Sequence, residues 1–148
     1  MLPELLFQRD APGEQPFNEV NRAIRTPGGA SRIWSDLAVT LFLADPRSYD
    51  GGDLVVRNAH NEQCVKLPAG HLFLYSAGSR QEIRPVVRGV SCRCVFWIQS
   101  MIRDNGQRKI LFDLDTPIQA LAAKMPDDPS ITRLAGVYHN LLRYWAQV

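Results

Sequence analysis

The sequence predicts a mainly β fold, a sandwich or small barrel, followed by helices at the carboxyl end. Three observations support this prediction. Short apolar segments recur at nearly even spacing between residues 36 and 99, with turn residues between them. Beyond residue 103 the apolar residues recur at steps of three and four, the period of an α-helix. The length of 148 residues is that of one compact domain.

The predicted strands are short and rich in branched or aromatic residues. Residues 1–29 are rich in proline and end in paired glycines, so we expect loops with one short strand there. In chain order the predicted strands are 19–24, 36–43, 53–57, 64–67, 71–75, a short segment at 82–87, and 91–99. The segment 36–43 is too short for a typical helix and should be a buried strand.

Three helices are predicted after the strands. Asp104 can cap a helix that runs through Leu114, and Pro117 suits the first position of a second helix ending near Met125. Ser130 is the predicted cap of the last helix. Its apolar stripe consists of Ile131, Leu134, Ala135, Tyr138, Leu141, Leu142 and Trp145. We therefore expect residues 104–148 to form a helical extension packed on the β unit of residues 1–103.

Composition excludes several classes of function. A net charge of +2 without a basic stripe argues against a nucleic-acid partner. No apolar run approaches the roughly 20 residues of a membrane span, and the first residues lack the pattern of a signal peptide, so a cytoplasmic location is expected. Cys64, Cys92 and Cys94 are expected to be reduced and buried rather than bridged or metal-bound.

Several strings are similar to those of bacterial PKHD-type hydroxylases. They are SDLAVTLFLADPRSYDGGDLVV, KLPAGHLFLYSAGS, RPVVRG, VFWIQSMIRD, LLFDLDTPIQ and LAGVYHNLLRYWAQV. That family belongs to the iron(II)/2-oxoglutarate-dependent dioxygenases, close to the prolyl 4-hydroxylases. The resemblance implies a double-stranded β-helix (jelly-roll) barrel with helices around it. It also implies a further amino-terminal portion, so we expect this chain to be truncated there.

The resemblance also implies positions for an active site. The family holds iron with a His-x-Asp pair and a later histidine, a facial triad that leaves positions open for 2-oxoglutarate and oxygen. An arginine then binds the far carboxylate of 2-oxoglutarate. By alignment of neighbouring residues these positions fall on Glu19, Asn21, Gln81 and Ser91, so all four differ from the pattern. We expect no metal ligands, no catalytic residue and no bound cofactor.

Three histidines and one arginine are the candidate substitutes for the missing groups. His60 and His71 match no ligand position and are expected to be structural or exposed, and His139 lies off the apolar stripe of its helix. Arg93 shares the face of Ser91, two residues away on the strand. One interpretation places its head in water at the barrel rim. The other pairs it with Glu19, with Asn21 and Gln81 hydrogen-bonded around them, and Arg93 is also the candidate substitute anchor for 2-oxoglutarate.

Three hypotheses of function follow. The first is a degenerate, non-catalytic family member that acts as a binding or scaffold domain, with an intact paralogue or a second copy of the chain as partner. The second is a truncated gene product without function. The third is an active hydroxylase with an altered metal site, which would use iron(II) and 2-oxoglutarate. The sequence names no substrate.

Overall fold

The computed structural model describes residues 4–16, 21–26, 32–58 and 61–147. The chain divides into two compact units, Met1–Gln99 and Ser100–Val148. The first unit is built of strands and the second of helices. The predicted fold class, mainly β with carboxy-terminal helices and jelly-roll-like in character, is confirmed. Strand pairing within the described residues does not close a barrel.

The described part of the first unit is built around short strands. They are β1 (Leu6–Asp10), β2 (Ile24–Arg25), β3 (Ile33–Trp34), β4 (Leu37–Phe42), β5 (Asp50–Gly51), β6 (Leu54–Arg57), β7 (Glu62–Val65), β8 (Leu72–Ser76), β9 (Arg80–Ile83), β10 (Val86–Arg88) and β11 (Ser91–Ile98). The larger sheet has the order β1-β11-β4-β8, and a three-stranded sheet has the order β7-β6-β9. β10 pairs with β5, and β2 pairs with β3. Every pairing is antiparallel.

The core joins residues of the two larger sheets. Because side chains alternate along a strand, every second residue of a strand lies on the same face of its sheet. The four-stranded sheet contributes Ala38, Phe42, Tyr75, Val95 and Trp97 to one buried cluster, to which the three-stranded sheet adds Leu54, Val56 and Ile83. Polar residues share this inward alternation, among them Thr40, Ser91 and Arg93, all of them buried. The interior of the unit is therefore apolar along most of its length and polar at one end of β11.

Most predicted strands agree with the structure. Those predicted at 36–43, 53–57, 64–67, 71–75 and 91–99 are present to within two residues at each end. β1 was not predicted, because a proline-rich composition pointed to loop while its alternating burial is visible only in the fold. Of the strand predicted at 19–24, residues 19–20 lie outside the described part, and among the described residues 21–24 only Ile24 is in a strand, as the first residue of β2.

The cysteines are free thiols, as expected. Cys94 is buried on β11 and Cys92 is half-buried. The expectation of burial is wrong for Cys64, which is exposed. The reason is its position on β7, which is an edge strand of its sheet and is open to solvent over most of its length.

Two helices form the second unit, α1 (Asn105–Lys124) and α2 (Pro129–Trp145). The predicted break before Pro117 is wrong, since this proline lies inside α1. A proline there removes one backbone N–H, while the hydroxyl of the preceding Thr116 donates to the Phe112 carbonyl. Asp104 caps α1 as predicted, by accepting from the Gln107 N–H.

The last helix begins earlier than predicted. Its cap is Asp128, whose carboxylate accepts from the N–H of Ser130, so the prediction of Ser130 as the cap is wrong. Proline occupies the first helical position, where a missing N–H does no harm. The predicted apolar stripe is confirmed as the less exposed face of α2, and α1 packs against α2. His139 is exposed. Within the described residues, neither helix has the length and apolar character needed to span a bilayer.

Candidate functional site

The residues predicted to mark the site come from different elements of the first unit. Asn21 precedes β2, Gln81 lies on β9 of the three-stranded sheet, and Ser91 begins β11 of the four-stranded sheet. The structure brings Asn21 and Gln81 together. Glu19 and His60 lie outside the described residues, and His71 is exposed just before β8. Two core residues that the sequence did not suggest, Tyr75 and Trp97, complete the group.

Four side chains form one hydrogen-bonded chain, which we call the amide network: Trp97, Asn21, Gln81 and Tyr75. The indole N–H of Trp97 donates to Asn21 Oδ1 at 2.9 Å. Gln81 Nε2 donates to the same oxygen at 3.3 Å, and the Tyr75 hydroxyl donates to Gln81 Oε1. The network therefore links both larger sheets to the segment before β2. It engages both amide oxygens that stand at predicted ligand positions.

The buried tyrosines of this region have altered acidity. Burial raises the pKa of Tyr75 above its ordinary value of 10.0, and hydrogen bonding with Thr40 partly opposes that rise. Burial likewise raises the pKa of Tyr49, with hydrogen bonding to Ser91 acting in the opposite direction. Ser91 is itself buried. Its hydroxyl is therefore one of several hydroxyls inside the unit, and it carries no charge.

Arg93 is buried inside the unit. Its side chain is 2% exposed, and its Nη1 lies 2.8 Å from Oδ2 of Asp10, whose side chain is 6% exposed. Arg93 Nε donates to Gln8 Oε1 at 2.7 Å. The prediction that its head lies in water is therefore wrong. β1 pairs directly with β11, which places Gln8 opposite Arg93 and puts Asp10 beside it.

The ion pair explains how a charged side chain is tolerated there. Burial lowers the pKa of Arg93 from the ordinary arginine value, and the charge of Asp10 opposes that shift. The guanidinium charge is matched by a carboxylate at contact distance. The predicted partner, Glu19, lies outside the described residues, so the pairing with Glu19 stays a prediction. Neither Gln8 nor Asp10 was identified from the sequence, because β1 was not predicted.

The described residues at the two implied ligand positions, Asn21 and Gln81, carry neither an imidazole nor a carboxylate. Iron(II) sites of this class use imidazole and carboxylate, whereas Asn21 and Gln81 are neutral amides whose oxygens already accept hydrogen bonds. The described residues contain no group of three or more His, Cys, Asp and Glu side chains able to hold a metal ion. Ser91 cannot form the charge-assisted pair that a carboxylate anchor requires.

Comparison with known proteins identifies the family. The sequence model of the PKHD-type hydroxylase C-terminal domain matches residues 105–147. A PKHD-type hydroxylase of Xanthomonas euvesicatoria is 49% identical over 146 residues, which are 97% of this chain and 64% of that protein. This chain belongs to the PKHD-type hydroxylase family. PKHD-type hydroxylases of Rhizorhabdus wittichii and Klebsiella pneumoniae are 54% and 48% identical, and this chain matches 63% and 64% of their lengths.

Alkaline unfolding should report the buried tyrosines of this PKHD-type chain. Below pH 10 the tyrosines are protonated in both the folded and the unfolded chain, so the folding stability that depends on their protonation is fully present. Above it the unfolded chain ionises first, because folding raises the pKa of Tyr49 and Tyr75. Stability is then lost as the pH rises through the folded-state pKa. We expect urea unfolding from about pH 9 upward to give a shallower pH slope for Tyr75→Phe than for the parent.

The slope, rather than stability at one pH, is the diagnostic quantity, since Tyr75→Phe also removes a hydrogen bond to Gln81. Tyr144→Phe is the matched control, because Tyr144 is 84% exposed on α2. It should keep the slope of the parent. Equal slopes for all three proteins would contradict the interpretation.

Proposed function

We propose that this chain is a non-catalytic member of the PKHD-type hydroxylase family that acts as a binding or scaffold domain. The amide network carries the proposal. At the positions where the family resemblance implies iron ligands, Asn21 and Gln81 hydrogen-bond to each other and to Trp97 and Tyr75. These hydrogen bonds connect the implied ligand positions to core residues of the first unit.

The chemistry of the ligand positions supports this proposal. An amide oxygen is a weak ligand for iron(II) compared with a carboxylate or an imidazole. To bind a metal through Asn21 Oδ1, the chain would have to break the hydrogen bonds from Trp97 and Gln81. Leaving those buried donors without an acceptor costs about 1–3 kcal/mol for each group. A weak ligand does not offset that loss.

The same reasoning applies to 2-oxoglutarate, the cosubstrate that the family resemblance implies. A dicarboxylate needs a positive charge that is not already compensated. Ser91 is neutral, and the charge of Arg93 is matched by Asp10. Arg93 as a substitute anchor would therefore have to give up a buried ion pair. Removing one partner from such a pair costs about 3–5 kcal/mol.

The alternative function is hydroxylation with an altered metal site. It is favoured by the 47–54% identity to proteins named PKHD-type hydroxylases. In that case the chain would bind iron(II) and 2-oxoglutarate and release succinate. The two functions make opposite predictions for a direct binding measurement.

Calorimetric titration decides between them. Metal-stripped protein is titrated without oxygen, first with iron(II) and then with 2-oxoglutarate, and an active 2-oxoglutarate-dependent hydroxylase is titrated in parallel as the positive control. We expect no saturable heat for this chain with either ligand. Micromolar binding of both, followed by succinate release when oxygen is admitted, would overturn the proposal.

A partner is part of the proposed role. The candidates are an intact paralogue and a second copy of this chain, and nucleic acid is not among them because the net charge is only +2. Light scattering tests both candidates. The mass of the purified protein by itself shows whether two copies associate, and the mass of its mixture with an intact paralogue shows whether the two proteins associate. A strict monomer that fails to associate with the paralogue would count against the scaffold role.

A further inference from the structure

β8 is an uncharged edge of the four-stranded sheet. It pairs with β4 on one side, and no other described strand pairs with it on the other side. No Asp, Glu, Lys or Arg occurs in the sequence from Leu67 to Ser79, which includes the whole of β8. An uncharged edge strand can pair with a strand of another chain, which is why edge strands commonly carry charged side chains.

The other three edges of the two larger sheets carry such charges. β1 has Arg9, whose side chain is 60% exposed. On β7, Glu62 forms an ion pair with Arg57 of the neighbouring strand, and β9 begins with the exposed Arg80. Charged side chains at an edge disfavour the addition of a further strand. In the described part of the chain, β8 is thus the least protected of these edges.

The backbone of β8 directs two of its residues away from β4. The carbonyl of His71, just before β8, accepts from the Phe42 N–H at 2.9 Å. Hydrogen-bonded and non-hydrogen-bonded pairs alternate along antiparallel strands, so Phe73, two residues further on, also bonds to β4. The residues between these bonded positions are Leu72 and Leu74. Their N–H and C=O groups therefore point towards the free edge.

The same two leucines have exposed side chains. Leu72 and Leu74 lie on the outer face of the sheet, opposite to the face on which Tyr75 joins the core. Leu72 is 57% exposed and Leu74 is 49% exposed. Their partners on β4 are Leu41 and Val39, so this face of the sheet continues apolar from the edge inwards. Adjacent exposed apolar side chains are a mark of protein–protein contact.

A second copy of this chain is complementary to this edge. When two identical strands run antiparallel about a two-fold axis, the residue on the axis lies opposite itself and exchanges both backbone hydrogen bonds with its copy. With Leu74 on the axis, Leu72 lies opposite Ser76 of the second copy. The axis is perpendicular to the sheet, so the exposed leucines of both copies lie on one face. Neither strand carries a charge that would repel the other.

We propose that two copies of this chain associate through β8, with the β8 strands paired antiparallel at Leu74 so that the two four-stranded sheets become continuous. The proposal rests on the proposed function for its choice of partner, since a second copy is one of the two candidates there. It adds the surface and the symmetry of the association. Backbone hydrogen bonds at Leu74 fix the register, and the leucine side chains of both copies lose contact with water.

Light scattering of the full chain over a range of concentrations measures this association. Leu74→Lys places two ammonium groups opposite each other on the axis, so the dissociation constant of the dimer should rise by at least about tenfold. Leu5→Lys is the matched control, because Leu5 is 52% exposed beside β1, at the other edge of the same sheet. It should leave the constant unchanged. A parent that stays monomeric, or a dimer that Leu74→Lys does not weaken, overturns the proposal.

A mixture of two charged variants tests the position of the axis. Leu74→Glu by itself should weaken the dimer as Leu74→Lys does, because like charges again lie opposite each other. An equimolar mixture of the two variants should form a mixed dimer, in which a lysine lies opposite a glutamate. If both variants are folded by circular dichroism and their mixture does not associate, Leu74 does not lie on a two-fold axis.

Amide hydrogen exchange of the unmodified chain gives a measurement that needs no variant. The N–H of Leu74 should exchange more slowly as the protein concentration rises, because the second copy supplies its acceptor. The N–H of Phe73, which already points towards β4, should show no such dependence on concentration. A Leu74 exchange rate that is independent of concentration while the mass doubles would place the dimer contact elsewhere.

These outcomes keep the proposal apart from the proposed function. A monomeric parent that binds an intact paralogue retains the scaffold role and overturns self-association through β8. Loss of that complex in Leu74→Lys would then assign the β8 edge to the paralogue. Dimers that form through β8 and also bind iron(II) and 2-oxoglutarate with succinate release would overturn the non-catalytic role and leave the β8 contact in place.

Discussion

Replacing Asp10 by alanine is expected to lower the free energy of unfolding by about 3–5 kcal/mol, because it leaves the Arg93 guanidinium buried without a counterion. The side chains of Arg93 and Asp10 are 2% and 6% exposed and lie 2.8 Å apart. A desolvated charge that loses its partner cannot recover the hydration it lost on folding. Urea unfolding followed by tryptophan fluorescence measures the change.

The double variant Asp10→Leu with Arg93→Met tests the cause. Replacing a whole buried ion pair by apolar residues of similar size is often neutral or stabilising, so the double variant should recover most of the loss of the single variant. Asp50→Ala is the matched control, since it breaks the exposed ion pair of Asp50 with Arg88 and should have a small effect. A double variant that is less stable than Asp10→Ala would show that packing, rather than charge, dominates at this position.

Gly89→Ala is expected to destabilise the chain by more than about 2 kcal/mol. Gly89 has a φ of +77°, a conformation that residues with a Cβ rarely adopt. A Cβ there would lie 2.1 Å from the Ser48 carbonyl oxygen and 2.9 Å from Tyr49 Cα, so the backbone itself would have to move. The bend at Gly89 follows directly on β10, which pairs with β5. The free energy of unfolding in urea is again the measurement.

Gly136→Ala is the control with the opposite sign. Gly136 lies inside α2, and a Cβ there would meet nothing within 4 Å. Alanine favours a helix over glycine by up to about 1 kcal/mol, so α2 should become more stable. Similar losses for Gly89→Ala and Gly136→Ala would contradict the assignment of the Gly89 effect to its left-handed backbone and its close contacts.

The parts of the fold that follow from local pattern could be predicted. β4, β11 and α2 were expected because a short run of branched or aromatic residues and a helical periodicity can each be recognised within one segment. The helix break at Pro117 was wrong because an interior proline removes only one hydrogen bond, which the rest of a 20-residue helix can tolerate. β1 was missed because its position depends on β11, its pairing partner, and not on its own composition.

The candidate site, like the fold, could be predicted from the sequence only in part. The positions of Asn21, Gln81 and Ser91 could be located from the sequence, because neighbouring strings carry the resemblance. The contact between Arg93 and Gln8 could not, since it joins residues 85 apart in the chain. Pairing of strands at that separation is decided by the packing of the whole sheet.

The sequence by itself determined which functional groups stand at the four positions implied for iron and 2-oxoglutarate: a carboxylate, two amides and a hydroxyl in place of two imidazoles, a carboxylate and a guanidinium. Only the tertiary structure decided what those groups do. It hydrogen-bonds Asn21 to Gln81 and to Trp97, hydrogen-bonds Gln81 to Tyr75, and pairs Arg93 with Asp10. The reason is physical, since donor and acceptor capacity belongs to the residue while satisfaction of that capacity depends on which strands meet.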